Sequence, residues 1–273
     1  MRAQIRTHMG PKALPLRSSR SALARRPGSL AAIGILSGLV KLLATNEIEH
    51  RQAGSGRMVV RSGQGVKAMG VYNDQVLPRM LNAAGSNKRL DPLRRRVCEG
   101  LAEDVIEIGF GAGLNVPFYP AAVTTVAAIE PSDLSWNLAG ERLRGTNVSV
   151  QRSGLDGQVL PFADDSFDTA LSTWTLCTIP DVAAALRELR RVLKPGANLR
   201  FLEHGLAPDE RVRRWQRRLD PVQSRIAGGC HFTRPVVDLL KTAGFTIKEL
   251  DVFYEQGTSK IAGADSLGSA LSP

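Results

Sequence analysis

Apolar positions along this chain follow two periods, and the switches between them mark its elements. Val71, Val76, Leu77, Met80 and Leu81 recur at helical spacing and predict a short helix interrupted at Pro78. A second helix is predicted over residues 91–101, with Leu93, Val97 and Leu101 inward and Arg94, Arg95 and Arg96 on an outer face that reads as solvated, with binding of an anionic substrate as the alternative. Short apolar runs then take over at 105–108, 123–129, 148–151, 169–173, 198–202 and 245–253, each bounded by turn residues, and these read as strands. Helical patterns lie between them. One is capped by Ser132 and stops by Gly145; another runs from Pro180 to Lys194 with Val182, Leu186 and Leu189 on one face. Two more span 209–219 and, from a Thr233 cap, the stretch up to Gly244. Strands alternating with helices predict an α/β fold built on one doubly wound, mostly parallel sheet. Beyond Gln256 the chain is small and polar, so a last strand is expected to be degenerate.

Composition divides the chain. The 273 residues are 43% apolar, ample for one globular core and an appendage. The net charge of +10 sits mostly in residues 1–57, a tail rich in Arg, Ser and Pro that reads as disordered. Residues 30–44 inside it are apolar but for Ser37 and Lys41, too short for a comfortable span. Three readings of this tail compete: a targeting or interfacial membrane segment, an inert appendage, or sequence upstream of a true start at Met58 or Met69. The remainder is expected to comprise a helical cap over 58–100, a ligand-binding core over 101–262 and a flexible end over 263–273. That nearly neutral core speaks against a nucleic-acid partner. Cys98, Cys177 and Cys230 are far apart in sequence with no C-x-x-C, which argues for reduced thiols, a cytoplasmic chain and no metal site.

The chemistry concentrates in residues 105–132. A strand-like run stops in Gly109-Phe110-Gly111-Ala112-Gly113, and the next apolar run ends on Glu130, 21 positions after Gly109. Glycines let backbone approach a ligand closely, and an acid at the tip of the second strand is placed for ribose hydroxyls. A nucleoside-bearing cofactor at the mouth of the sheet is the first reading. Leu114, with Pro117 and Pro120 soon after, fits a dinucleotide fingerprint poorly, and an NAD-dependent oxidoreductase is kept as the alternative. Asp156 with Gly157 lies where an acid and an N–H would meet adenine; an Asx-turn is the equal reading of Asp156.

Four segments, EIGFGAG, AIEPS, LPFADDSFDTALSTWTLCTIPD and LRELRRVLKPGANLRFLEH, together resemble the class I S-adenosylmethionine (SAM) methyltransferases of the type 11 group, with its Rossmann-like seven-stranded sheet. YNDQVLPRML, NVPFYP and RRLDPVQSRIAGGCHFTRPVVDLLKTAGF are similar to small bacterial methyltransferases related to the animal membrane-associated thiol methyltransferases. The resemblance implies that SAM is the cofactor. Glu107, Gly109, Gly111 and Gly113 would hold its methionine end, Glu130 its ribose, and Asp156 with Gly157 its adenine. Thr173 through Cys177 would floor the site where the methyl group meets its acceptor. It implies a small, fairly apolar acceptor, a thiol, a hydroxyl or a lipid-like molecule, with His204 and then His231 as candidate bases. A membrane-surface association through residues 30–44 is the companion expectation. A SAM-binding relative without catalysis is the non-enzymatic alternative.

Overall fold

The computed structural model describes residues 70–273; the tail 1–57, its apolar segment 30–44 and the linker to residue 69 lie outside the described residues. A turn of π-helix over Tyr72–Val76 leads into α1 (Leu77–Gly85) and α2 (Asp91–Cys98). Then come β1 (Glu103–Ile108), β2 (Val123–Ile129), α3 (Asp133–Leu138), α4 (Gly140–Arg144), β3 (Ser149–Gly154) and β4 (Phe167–Thr173). The chain closes with α5 (Val182–Val192), β5 (Leu193–His204), α6 (Glu210–Ile226), α7 (Val236–Thr242), β6 (Thr246–Tyr254) and β7 (Ala264–Leu271).

The strands form one sheet in the order β3-β2-β1-β4-β5-β7-β6, with β3, β2, β1, β4 and β5 parallel and β7 antiparallel to both neighbours. Period-two side-chain alternation sorts the strand residues onto two buried faces. Ile106, Ile108, Ala170 and Phe201 pack with Leu186, Leu189, Val236 and Leu240 of α5 and α7. Val105, Leu171, Leu202 and Leu267 pack on the opposite face with Val97 and Cys98 of α2. Local signals explain several boundaries. Ser132 accepts from Ser135 N–H at 3.2 Å and Asp181 from Ala184 N–H at 2.9 Å, capping α3 and α5. Thr233, expected as a cap, instead donates its N–H to Asp220, and α7 starts after Pro235. The arginine-rich helix runs on through Pro221 to Ile226, past its expected end.

The C-terminal expectation is corrected. Residues 264–271 are a full strand inside the sheet, neither a degenerate strand nor a flexible end, so the core extends past 262. β7 was hidden because ADSLGSAL lacks the branched and aromatic residues that mark strands. Small side chains are what its place demands. A Cβ on Gly268 would overlap the Glu249 carbonyl and lie 2.9 Å from the Phe201 ring, so only glycine fits there.

Candidate active site

The carboxyl ends of the parallel strands form the rim where ligands bind in such sheets. At its first half, β1 ends and the chain turns through Gly109, Gly111 and Gly113, all at positive φ. A Cβ on Gly109 would overlap the Thr175 side chain, so glycine is needed there for space as well as conformation. At Gly111 a Cβ would meet nothing nearer than the Gly109 carbonyl at 3.9 Å, which leaves the mouth of the turn open. Gly111 N–H donates to Glu130 Oε2 at 2.7 Å, and Ser132 N–H to Oε1 at 2.8 Å. Each carboxylate oxygen has room for two hydrogen bonds, so one acceptor position per oxygen is left, the number a ribose diol needs. Burial pushes the Glu130 pKa up against those two N–H donors. Asp156, in the exposed loop after β3, accepts from Gln158 N–H at 2.8 Å as an Asx-turn, and Gly157 beside it lies near Ile108 and Ile179. The turn, the acid and this apolar wall fit an adenosyl group.

Glu107 is placed differently from expectation. It is fully buried and accepts from Asn115 Nδ2 at 2.8 Å and from the Tyr119 hydroxyl, so it braces the turn from beneath and is not presented to a ligand. Burial raises its pKa to about 7 in spite of those donors. Asn115 also donates to Thr173 Oγ1 at 2.9 Å and accepts from Arg94 Nη1 at 2.8 Å. Thr173 is therefore a buried anchor of this network at the end of β4. Arg94, expected on a solvated face, is only 4% exposed, and its Nε has no hydrogen-bond partner. Its guanidinium sits 4.9 Å from the Trp174 ring centre. Asn115 opens the segment NVPFYP, but nothing in that segment marks it as a brace, and Arg94 stands in an arginine triplet whose charge suits a solvated face.

The second half of the rim lies beyond β4 and β5. Trp174 takes positive φ (49°), rare for a bulky residue and a local strain, and donates Nε1 to Asp265 Oδ1 at 3.2 Å. Cys177 and Cys230, set aside as separate thiols, are brought together here with Sγ atoms 3.6 Å apart. His204 lies with Nδ1 3.8 Å from Cys230 Sγ and Nε2 3.7 Å from Asp265 Oδ1. Both ring nitrogens thus face groups of the protein. Contact with Cys177 and with His204 lowers the Cys230 pKa to about 5 against the opposing effect of burial, while Cys177 is held well above its ordinary value. Cys177 keeps the proton of that pair, since Cys230 is the thiol facing the imidazole. Burial pulls the His204 pKa down, and Cys230 and Asp265 return it to above its ordinary value. Glu203 accepts from Ser172 Oγ at 2.5 Å and Thr175 N–H at 3.1 Å, and burial raises it to about 7. His231, half-exposed, holds Asp220 Oδ2 at 2.8 Å through Nδ1, and its backbone N–H donates to the Cys177 carbonyl at 3.0 Å.

Comparison with known proteins agrees with this geometry. Residues 106–201 match the family model described as "Methyltransferase domain". The chain is 30% identical over 182 residues to the thiol S-methyltransferase TMT1B of Rattus norvegicus, covering 62% of this chain and 73% of that protein. It is 32% identical over 118 residues to the demethylmenaquinone methyltransferase of Corynebacterium kroppenstedtii, 43% of this chain and 46% of that protein. A SAM-dependent methyltransferase from Aquifex aeolicus shares the fold, with a TM-score of 0.51 and 19% identity over 72% of this chain and 98% of that one. With the glycine turn, the acid at the tip of β2 and a relative matched over most of its length, the chain belongs to the SAM-dependent methyltransferases.

Proposed function

We propose that this chain methylates a small, fairly apolar thiol at the rim beyond β4 and β5. When bound, SAM supplies a sulfonium methyl group; the acceptor sulfur forms the new C–S bond as the old one breaks onto the cofactor sulfur, leaving a thioether, S-adenosylhomocysteine and one proton. Glu130 takes the ribose diol with its two open acceptor positions. Gly109, Gly111 and Gly113 give the methionine end a backbone wall, and Asp156 with Gly157 meets the adenine edge. Arg94, fixed by Asn115 and with Nε unpaired, is the cation for the methionine carboxylate. His231 receives the acceptor's proton. Asp220 holds its Nδ1–H, so the other ring nitrogen is the acceptor. His204 is less suited as the base, because both of its nitrogens face protein groups.

The observation that carries this reading is the His231–Asp220 pair on a partly exposed rim beside Cys177. The names of the rat and Corynebacterium relatives, acting on a thiol and a quinone, support a small acceptor. The test offers the full chain SAM with panels of alkyl and aryl thiols, quinols and phenols, and measures S-adenosylhomocysteine and methylated product together. Equimolar thioether and S-adenosylhomocysteine are expected from thiols; turnover of quinols or phenols without thiols overturns the acceptor class.

Access to an apolar acceptor from a lipid surface has its own support. Trp215, Leu219 and Val222 form one exposed stripe of α6, with Arg211 and Arg218 beside it and the Arg218 guanidinium 5.4 Å from the Trp215 ring centre. No helix among the described residues is long and apolar enough to cross a membrane, and residues 30–44 lie outside them. Co-sedimentation with anionic vesicles, weakened in Trp215→Ser, is expected; no sedimentation of the full chain at low salt overturns it.

A further inference from the structure

The rim beyond β4 and β5 holds more sulfur and nitrogen than proton transfer requires. Cys177 Sγ, Cys230 Sγ and a ring nitrogen of His204 all lie within 4.8 Å of one another. In a tetrahedral zinc site, bond lengths of about 2.3 Å to sulfur and about 2.0–2.1 Å to nitrogen put two sulfurs about 3.8 Å apart, and sulfur and nitrogen about 3.6 Å apart. The separations here are 3.6 Å between the sulfurs and 3.8 Å between Cys230 Sγ and His204 Nδ1. Two of the three ligand separations are thus already at about the spacing of a coordination tetrahedron, and the third, from Cys177 Sγ to the His204 ring, is within 4.8 Å.

An independent observation points to a missing positive charge. Glu203 and Asp265 are both fully buried, and each has one carboxylate oxygen, Oε2 and Oδ2, without a hydrogen-bond partner. Glu203 precedes His204 in the chain, and Asp265 lies 3.7 Å from its far nitrogen. Two buried acids with unpaired oxygens beside two thiols are costly unless a cation offsets them. A carboxylate behind the outer nitrogen of an imidazole is also the usual support of a metal-bound histidine.

We propose that Cys177, Cys230 and His204 bind one thiophilic divalent ion of the zinc class, oriented by Asp265, with the fourth position open to the acceptor's thiolate. Only the fourth-position assignment rests on the thiol reading above; the three-residue site does not. The ion takes the sulfurs as thiolates and the imidazole neutral, so protons compete with it and uptake weakens as pH falls. A thiolate bound to the ion keeps its nucleophile in ionised form, and the thioether product, having no charge, is the poorer ligand.

The test uses the full chain reduced with a phosphine, metal content by mass spectrometry and Co2+ titration followed by absorbance. One ion per chain is expected, with a thiolate-to-cobalt charge-transfer band and the visible bands of a four-coordinate site. Cys177→Ser and Cys230→Ser each remove about half of the charge-transfer intensity per bound cobalt, and the double variant removes the band. Asp265→Asn weakens Co2+ binding by roughly 10-fold. Added benzenethiol raises the band by about half, as a third thiolate should; an unmoved spectrum removes the acceptor from the fourth position. No cobalt uptake by the reduced chain, including chain recovered with a Cys177–Cys230 disulfide and then reduced, overturns the site. S-adenosylhomocysteine binding by calorimetry runs alongside in every variant. In the parent chain its retention without cobalt uptake overturns the metal site alone, whereas cobalt uptake without it overturns the methyltransferase reading of this rim.

Discussion

At the ends of β1 and β2, the partners that shape the cofactor turn are neighbours in sequence: Gly111 and Glu130 are 19 residues apart, Glu107 and Asn115 eight. At the ends of β4 and β5 the partners are remote, with Cys177 and Cys230 separated by 53 residues and Trp174 and Asp265 by 91. The first rim works through backbone held open by glycine, the second through side chains gathered from β4, β5, β7 and the segment after α6. In the proposed reading the first holds a group shared by a whole family, and local geometry suffices for it, while the second selects an acceptor, and its side chains meet only once the sheet is complete.

The sharpest way to separate the two rims is His231→Gln. It is expected to lower kcat with a thiol by about 10²–10⁴-fold while calorimetric affinity for S-adenosylhomocysteine is unchanged. Equal losses in both measurements would merge the rims into one unit. Glu130→Ala makes the converse cut. It removes two charge-assisted hydrogen bonds to the ribose, and a roughly 100-fold weaker S-adenosylhomocysteine complex is expected, with cobalt uptake unaffected. Unaltered cofactor affinity would take Glu130 out of the site.

Gly109→Ala probes the line where the rims touch, since its Cβ would overlap Thr175 and φ there is +70°. A stability loss of about 1–3 kcal/mol from the backbone strain alone is expected in denaturant titrations. A variant as stable as the parent would show that position 109 does not need the left-handed conformation.

A further effect is one of pH, and it has opposite signs at the two rims. Glu107 ionises near 4.5 in an unfolded chain and at about 7 in the fold, so its stabilisation is complete below 4.5 and lost as pH rises toward 7. Cys230 falls from 9.0 to about 5, so its stabilisation is present above 9 and lost as pH falls through 5. In metal-free, cofactor-free protein, Glu107→Gln should therefore flatten a decline in Tm between pH 4.5 and 7, and Cys230→Ser a rise between 5 and 9. Parallel profiles for parent and variants would contradict both assignments.

The same contrast explains what could be read in the sequence. Gly109, Gly111, Gly113 and Glu130 announce themselves because turn and acid recur at fixed spacing on consecutive strands. The alternation of strands and helices was legible for the same reason. Arg94 was misread since charge alone cannot tell a solvated face from a buried brace. Cys177, His204 and Cys230 carry no shared motif, and Asp265 sits in a strand whose small residues look like coil. Glu107 keeps its motif position but turns inward, because Asn115 and Tyr119 take both of its oxygens.

The insertion of β7 between β5 and β6 has a consequence for how the protein is made. During synthesis β6 leaves the ribosome before the strand that joins it to the rest of the sheet, so the nascent chain carries a split sheet until β7 emerges. A chain cut before β7 would keep the glycine turn but have no Asp265 behind His204. And since β7 runs opposite to β5, the backbone leaves β7 at the end of the sheet away from the binding rim.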